Sequence, residues 1–363
     1  MPDRVYLDAN ATEPLRPAAR AAALAALDLT GNPASVHGFG RAARALLETA
    51  RETIAARFGG HPADLVFTSG GTEANALAIA GLGAGRRRIV SAIEHAAVRE
   101  AAPEAAILPV DRQGIADLAR LAALLAEGPP AFVALMLANN ETGVIQPIAE
   151  AAALCRRFGA HLHVDAVQAA GRIACDFTAL GAASLALSGH KLGGPAGAGA
   201  LLLDADAAKR LAPLIAGGGQ ERGRRGGTPP LAAIAGFAAA ATADPADLAP
   251  LRDAAEAAAI EAGAVVCGAG APHLPNTTCL ALPGVKAETQ VIALDLAGIA
   301  VSAGAACSSG KIAQSHVLAA MGLGDLAGQA IRVSLPWSAT AADITAFSSA
   351  YRAMAARLAR RAA

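Results

Sequence analysis

Short apolar runs alternating with helical stretches predict an α/β protein. The expected architecture is a large domain on a mostly parallel mixed sheet covered by helices, followed by a smaller α+β domain. Three observations carry that expectation. Runs such as Phe132–Leu137 and Leu185–Leu187 are continuously apolar, as strands buried on both faces are. Amphipathic segments such as Arg41–Phe58 lie between the strand-like runs. A Pro- and Asp-rich stretch, Asp244–Pro250, reads as a hinge after which the alternation changes character. At 363 residues the chain is long for one core. The boundaries expected are 14–246 for the large domain, and 1–13 with 247–363 for the small one.

In chain order, Val5-Tyr6-Leu7 reads as a short strand, and Pro14 and Pro17 open a helix to about Leu29. Thr30–Gly40 is a glycine- and proline-rich loop before the helix Arg41–Phe58. Strands follow at Asp64–Thr68, Arg88–Ala92, Ala106–Val110, Phe132–Leu137, Leu162–Val164, Leu185–Leu187 and Gly199–Leu203. Helices are expected at Thr72–Gly81, after His95, at Ile115–Ala126 and at Ile148–Phe158. Gly217–Pro230 is a polar interruption with a helix after it. Beyond the hinge come a helix to about Gly263, strands near Val265-Val266 and Thr278–Leu282, and a helix from Glu288. Ile331–Leu335 reads as a strand, and an amphipathic helix starts at Ala341.

Composition narrows the function classes. A formal net charge of zero and a pI near 7.1 give no electrostatic footprint for nucleic acid. The uncharged run Gly226–Ala243 is mostly alanine and broken by Pro229 and Pro230, a poor membrane span. Met1-Pro2-Asp3-Arg4 leads into the first strand with no signal-peptide core, so a soluble cytoplasmic protein is expected. The cysteines at 155, 175, 267, 279 and 307 contain no C-x-x-C pair, which speaks against disulfides and a structural zinc site. Cys307 differs from the other four, because its neighbours Ser302–Ala306 and Ser308-Ser309-Gly310 are all small, as in an exposed loop.

Lysine is used sparingly, at 191, 209, 286 and 311 only. Lys191 follows Ser188-Gly189-His190 where a buried strand would end. An amine desolvated there suits covalent capture of a carbonyl, although a surface lysine in a glycine turn is the ordinary alternative. Other candidates share the strand-end position where open α/β sheets bind ligands. Thr68-Ser69-Gly70-Gly71-Thr72-Glu73 offers free N–H groups and a helix N-terminus for a phosphate at Gly71 and Thr72, yet it lacks the nucleotide-binding P-loop pattern. Asp165 and Gln168 could reach one planar ligand, with a helix cap as the plain reading of Asp165. His161 and His163 share a strand face, and packing explains them better than a metal does. His95 can stack on a ring and move protons, or simply cap a helix. Asn139-Asn140-Glu141-Thr142-Gly143 suits ligand contact and equally suits any turn. Gly217–Thr228 carries Arg222, Arg224 and Arg225 and is either solvated or anion-contacting.

Together these motifs, in this order, resemble the cysteine desulfurases of the class V aminotransferase group, enzymes that use pyridoxal phosphate. The resemblance covers nearly the whole chain. It rests also on Tyr6–Thr12, Gly31-Asn32-Pro33-Ala34-Ser35-Val36-His37, Glu221-Arg222-Gly223 through Gly227-Thr228-Pro229, Gly304–Ser309 and Ile331–Leu335. It implies the fold type I architecture of pyridoxal-phosphate transferases and a homodimer. By resemblance, Lys191 holds the cofactor, Asp165 pairs with the pyridine nitrogen, Gln168 bonds the ring oxygen and His95 stacks on the ring. Gly71, Thr72, Ser188 and His190 hold the phosphate, with Thr228 reaching in from the second subunit. Asn140, which also borders the cofactor, and Arg332 grip the substrate carboxylate, and Cys307 accepts sulfur as a persulfide. The implied reaction converts L-cysteine to L-alanine and passes sulfur to an acceptor protein, such as an iron–sulfur scaffold or a sulfur carrier. A selenocysteine lyase, another class V enzyme and a non-catalytic interaction protein are the alternatives. Trp337 stands where many relatives have Gly-Arg, and the length of 311–318 resembles the long-loop subgroup, in which the cysteine transfers sulfur directly.

Overall fold

The computed structural model describes residues 4–304 and 314–362. After β1 (Val5–Tyr6) come α1 (Pro17–Leu27), α2 (Gly38–Arg57), β2 (Leu65–Thr68), α3 (Gly71–Leu82), β3 (Arg87–Ser91), α4 (Ala96–Arg99) and β4 (Ala106–Leu108). The chain continues through α5 (Leu118–Ala126), β5 (Ala131–Ala134), α6 (Ile148–Arg157), β6 (His161–Asp165), α7 (Phe177–Leu180), β7 (Ser184–Ser188), β8 (Gly199–Leu203), α8 (Ala205–Arg210) and α9 (Leu231–Ala241). The remainder is α10 (Ala249–Glu261), β9 (Val265–Val266), β10 (Thr277–Ala281), α11 (Ala287–Leu296), β11 (Ile299–Ala300), β12 (Ser302–Ala303), α12 (His316–Ala320), β13 (Ala330–Ser334) and α13 (Ala341–Ala362).

Seven strands form the main sheet in the order β2-β8-β7-β6-β5-β3-β4. Only β8 is reversed, pairing antiparallel with β7 and β2, while the other pairings are parallel. Both faces are covered, as the continuous apolar runs require. Phe67, Ile89, Val133, Leu162, Val164, Leu185 and Leu202 join one core cluster with residues of α2, α5, α6 and α9. The alternate positions Val66, Val90, Phe132, Ala134, Ala186 and Leu201 pack with α3 and α8 on the opposite face. A second, antiparallel sheet, β12-β13-β10-β9, carries its own cluster with Leu280, Ile331, Val333, Phe347 and Tyr351. Leu7 belongs to that cluster, and β1 pairs with β11, so the N-terminal segment is built into the C-terminal part of the chain.

Several expected boundaries move for local reasons. The helix expected from Ile115 begins at Leu118, because Asp117 accepts from Arg120 N (2.9 Å) and Ala116 is still bridged to Val110. The helix expected from Arg41 begins at Gly38, where His37 Nδ1 accepts from Gly40 N. The strand expected to reach Leu137 ends at Ala134, although Leu135 N and Leu137 N still donate to His163 O and Asp165 O. Short α7, α8, α12, β11 and β12 have too few residues to show a period.

The 217–228 loop is held against the sheet by charge. Arg51 donates from both guanidinium Nη atoms to Glu221, each at 2.8 Å, and Phe67 N donates to the same carboxylate at 2.8 Å. Both partners are buried, and the Arg51 guanidinium lies 4.7 Å from the Phe67 ring centroid. Glu221 and Arg222 sit in the left-handed region at φ 48° and 58°, which costs L-residues roughly 1–2 kcal/mol each. The buried pair offsets that strain. Removing one partner leaves an uncompensated buried charge, so Glu221→Ala should destabilise the protein by about 3–5 kcal/mol in denaturant unfolding. Arg51→Met combined with Glu221→Leu should recover much of that loss.

Candidate active site

The C-terminal ends of β2, β3, β5, β6 and β7 converge on a cavity of about 160 Å³. Gly71, Thr72, His95, Asn140, Asp165, Gln168, Ser188, His190 and Lys191 all line it, together with Asn75, Ala97, Met136, Ala138 and Val167. These nine sequence candidates come from five strand ends and the segments that follow them, which the sheet brings to one edge. Thr228 is exposed and is not among the lining residues. Cys307 lies outside the described residues.

Lys191 is in the short turn after β7, and Nζ donates to the Asn10 and Ala11 carbonyls, the latter at 2.9 Å. Burial lowers its pKa to about 8, aided by the Arg332 and Arg172 charges, against the opposing pull of Asp8 and Asp165. A sizeable fraction of neutral amine is therefore present near neutrality, which a carbonyl-capturing lysine requires. Asp165 ends β6 and is buried. Burial pushes its pKa up, whereas Val167 N (2.9 Å), Asn75 Nδ2 (2.7 Å), His95 and Lys191 all favour the carboxylate. Glu94, buried close by, is raised to about 8 by burial and by Asp165; it is mainly neutral at pH 7, so Asp165 faces little competing charge.

The anion cradle depends on a glycine. A Cβ on Gly71 would fall 2.6 Å from Val167 Cγ2, so only glycine lets the N-terminus of α3 close against the turn after β6. That leaves the first N–H groups of a twelve-residue helix facing the cavity beside Thr72 and Ser188. His190 is lowered to about 4 by burial and by Lys191, so it is a neutral donor or acceptor. His95 is exposed and caps α4, its Nδ1 accepting from Ala97 N at 3.1 Å. His95 thus caps a helix and also lines the cavity.

Arg332 on β13 donates to the Asn140 carbonyl (3.1 Å) and to Asp8 Oδ1 (2.6 Å), while its buried Nε has no partner among the described residues. It thus meets the cavity rim through Asn140. Asn139 organises that turn, donating to Ile93 O and accepting from Glu141 N and from the N–H and hydroxyl of Thr142. Gln168 donates to Asn10 O (3.0 Å) and accepts from Arg172 (2.6 Å). Trp337 docks residues 13–16: its N–H groups donate to Glu13 and Pro14, and Arg16 lies over its ring.

Sequence reasoning assigned no role to Asn10, Asn75, Glu94 or the Glu141–Ser315 pair. Ser315 caps α12 and donates to the Glu141 carboxylate, whose pKa burial raises to about 7. Asn75 and Glu94 signal only as polar residues among apolar ones, whereas Asn10 and Glu141 lie inside motifs already noted without a role of their own. His161 and His163 do not form a shared site: His163 bonds Ser184 and Asn75, and His161 faces Arg86. Cys155, Cys175, Cys267 and Cys279 are buried and free, as their apolar contexts predicted.

The family described as Aminotransferase class-V matches residues 5–347, and the chain belongs to that family. Its relatives there include cysteine desulfurases. It is 38% identical over 369 residues to the IscS-like cysteine desulfurase of Mycobacterium tuberculosis, covering 94% of this chain and 93% of that protein. It is 41% identical over 363 residues to the cysteine desulfurase of Cereibacter sphaeroides, covering 94% and 93%. The solved structure of a NifS-like protein from Rickettsia africae superposes with a TM-score of 0.89 at 34% identity, covering 97% of this chain and 99% of that one.

The amine of Lys191 should titrate near 8, so its reductive methylation by formaldehyde and borohydride should rise through that pH. Arg332→Gln removes a repelling charge and should move the midpoint upward, read by peptide mapping of Lys191 against the other lysines.

Proposed function

We propose that this protein is a pyridoxal-phosphate-dependent cysteine desulfurase. The observation carrying the proposal is the convergence of Lys191, Asp165, His95 and the α3 N-terminus on one cavity, in a chain of the class-V family. Those groups fit the cofactor by donor chemistry. A partly neutral amine meets an aldehyde, a buried carboxylate meets a ring nitrogen, and helix N–H groups meet a phosphate. Bound there, pyridoxal phosphate supplies an aldehyde for amine capture and a protonated ring that withdraws electrons from the substrate α-carbon.

The chain's own residues do the rest. Asp165 holds the ring-nitrogen proton, Gln168 supplies an amide to the ring oxygen, and His95 covers the ring. Gly71, Thr72, Ser188 and His190 hold the phosphate, completed by Thr228 from a second subunit of a homodimer. Asn140 and Arg332 orient the substrate carboxylate. Lys191, once released, moves the proton at the α-carbon. The Cys307 thiolate takes the substrate sulfur, so that L-cysteine and the Cys307 thiol become L-alanine and a Cys307 persulfide. Burial raises the Cys155 and Cys175 thiols to about 12, which supports neither as the nucleophile. The persulfide then passes to an acceptor protein of iron–sulfur or other sulfur-cofactor assembly in the cytoplasm. The separate sheets and clusters support a cofactor domain at 14–246 and a small domain of 1–13 with 247–363.

Lys191→Ala should abolish the visible absorbance of the loaded protein. Cys307→Ala should keep that absorbance and lose at least about a hundredfold in alanine formation from L-cysteine. Undiminished alanine formation by Cys307→Ala would overturn the persulfide route, and a matching turnover of selenocysteine alone would favour the lyase reading.

A further inference from the structure

From Asp165, three polar side chains are connected in series, beginning at Asn75 on the cavity wall and running away from it into the core. Asn75 Nδ2 lies 2.7 Å from Asp165 Oδ2, and His163 Nε2 lies 2.9 Å from Asn75 Oδ1. Ser184 Oγ lies 2.8 Å from His163 Nδ1. All four residues are buried, with His163 and Ser184 fully so. His163 and Asp165 share one face of β6, and His163 is in register with Ser184 on β7. Asn75 descends from α3 onto that face, and Phe132 stacks on the His163 ring with centroids 5.9 Å apart.

One charge settles every hydrogen in this series. An ionised carboxylate only accepts, so the Asn75 amide must turn its nitrogen toward Asp165. Its oxygen then faces His163 Nε2, which must donate. Burial keeps His163 neutral, lowering its pKa to about 3, so Nδ1 carries a lone pair. Ser184 must then donate to it. All three hydrogen bonds point the same way, toward the carboxylate, and each polarises the next.

We propose that Ser184, His163 and Asn75 are positioning residues that form a one-way donor chain, orienting the Asp165 carboxylate and holding it charged. The proposal rests on the reading that Asp165 pairs with the cofactor ring nitrogen. The competing influences on Asp165 are the Glu94 carboxyl, His95 and Lys191, none of which belongs to the chain. The donors oppose the burial that pushes Asp165 toward neutrality. Removing them raises its pKa further, so the charged state is lost at a higher pH as the solution is acidified.

Ser184→Ala removes one hydroxyl at the far end. His163 Nδ1 then lacks its donor, the His163 tautomer is held only through Asn75, and the polarisation that reaches Asp165 through the Asn75 amide weakens. The test is the affinity of cofactor-stripped protein for pyridoxal phosphate as a function of pH, measured by fluorescence titration for wild type, Ser184→Ala, Asn75→Ala and Asp165→Asn. Circular dichroism confirms that each is folded, and Asn75→Ala serves if Ser184→Ala is not. Both chain variants should bind about tenfold more weakly in mild acid, with the affinity drop displaced upward by about one pH unit. The displacement should be larger for Asn75→Ala. Uniformly weaker binding with an unmoved drop would reduce these residues to packing and overturn the proposal, as would wild-type behaviour in both variants while Asp165→Asn binds poorly. Wild-type binding by Asp165→Asn would instead overturn the ring-nitrogen reading, and this proposal with it.

Discussion

A carboxylate and an amine held apart from water at neighbouring strand ends are what the rest of this structure serves. Buried alone, Asp165 would protonate and Lys191 would lose its proton; each moves toward its uncharged form for the same reason. The fold balances the two unequally. Asp165 receives a backbone N–H, a side-chain amide and nearby positive charge. Lys191 receives carbonyl oxygens and is faced by two arginines. The outcome is an acid whose hydrogen bonds and positive neighbours oppose the burial that raises its pKa, and an amine whose pKa of about 8 leaves a neutral fraction near neutrality, in one cavity.

That arrangement needs parallel strands. β6 and β7 run side by side in the same direction, so Asp165 and the turn after Ser188 emerge at one edge of the sheet. α3 must then approach closely enough for its N-terminus to share the edge, which the missing Cβ of Gly71 permits against Val167. The N-terminal segment closes the site from the other part of the molecule. Asn10 supplies a carbonyl to Gln168 and to Lys191, and its amide reaches Asn140 and Thr277. Pairing of β1 with β11 and the Leu7 anchor hold that segment in place. Residues 7–13 thus connect the second sheet to the lysine by direct contacts.

Much of this was legible from the amino-acid order. Strand ends rich in small and polar residues after apolar runs, such as Ser188-Gly189-His190-Lys191 and Val164-Asp165, mark where a sheet edge becomes a site. Nine lining residues were named from such runs. What stayed hidden depends on distant pairs. Asn75 meets Asp165 across 90 positions, Ser184 meets His163 across 21, and Ser315 meets Glu141 across 174. Each looks like an isolated polar residue until the sheet closes. The reversal of β8 was equally hidden, since Gly199–Leu203 has the apolar pattern of a buried strand in either direction. Trp337, an apparent departure from the family pattern, finds its reason only in the contacts it makes with Glu13, Pro14 and Arg16.

The proposed route places sulfur transfer on Cys307, and burial raises the Cys155 and Cys175 thiols to about 12. Mass spectrometry of peptides from the loaded protein after brief exposure to L-cysteine, with persulfides alkylated, addresses this most directly. One additional sulfur on Cys307, absent from the Lys191→Ala protein, is the predicted result. Alanine formed with no added sulfur on Cys307, or with the sulfur on Cys155, Cys175, Cys267 or Cys279 instead, would contradict the account.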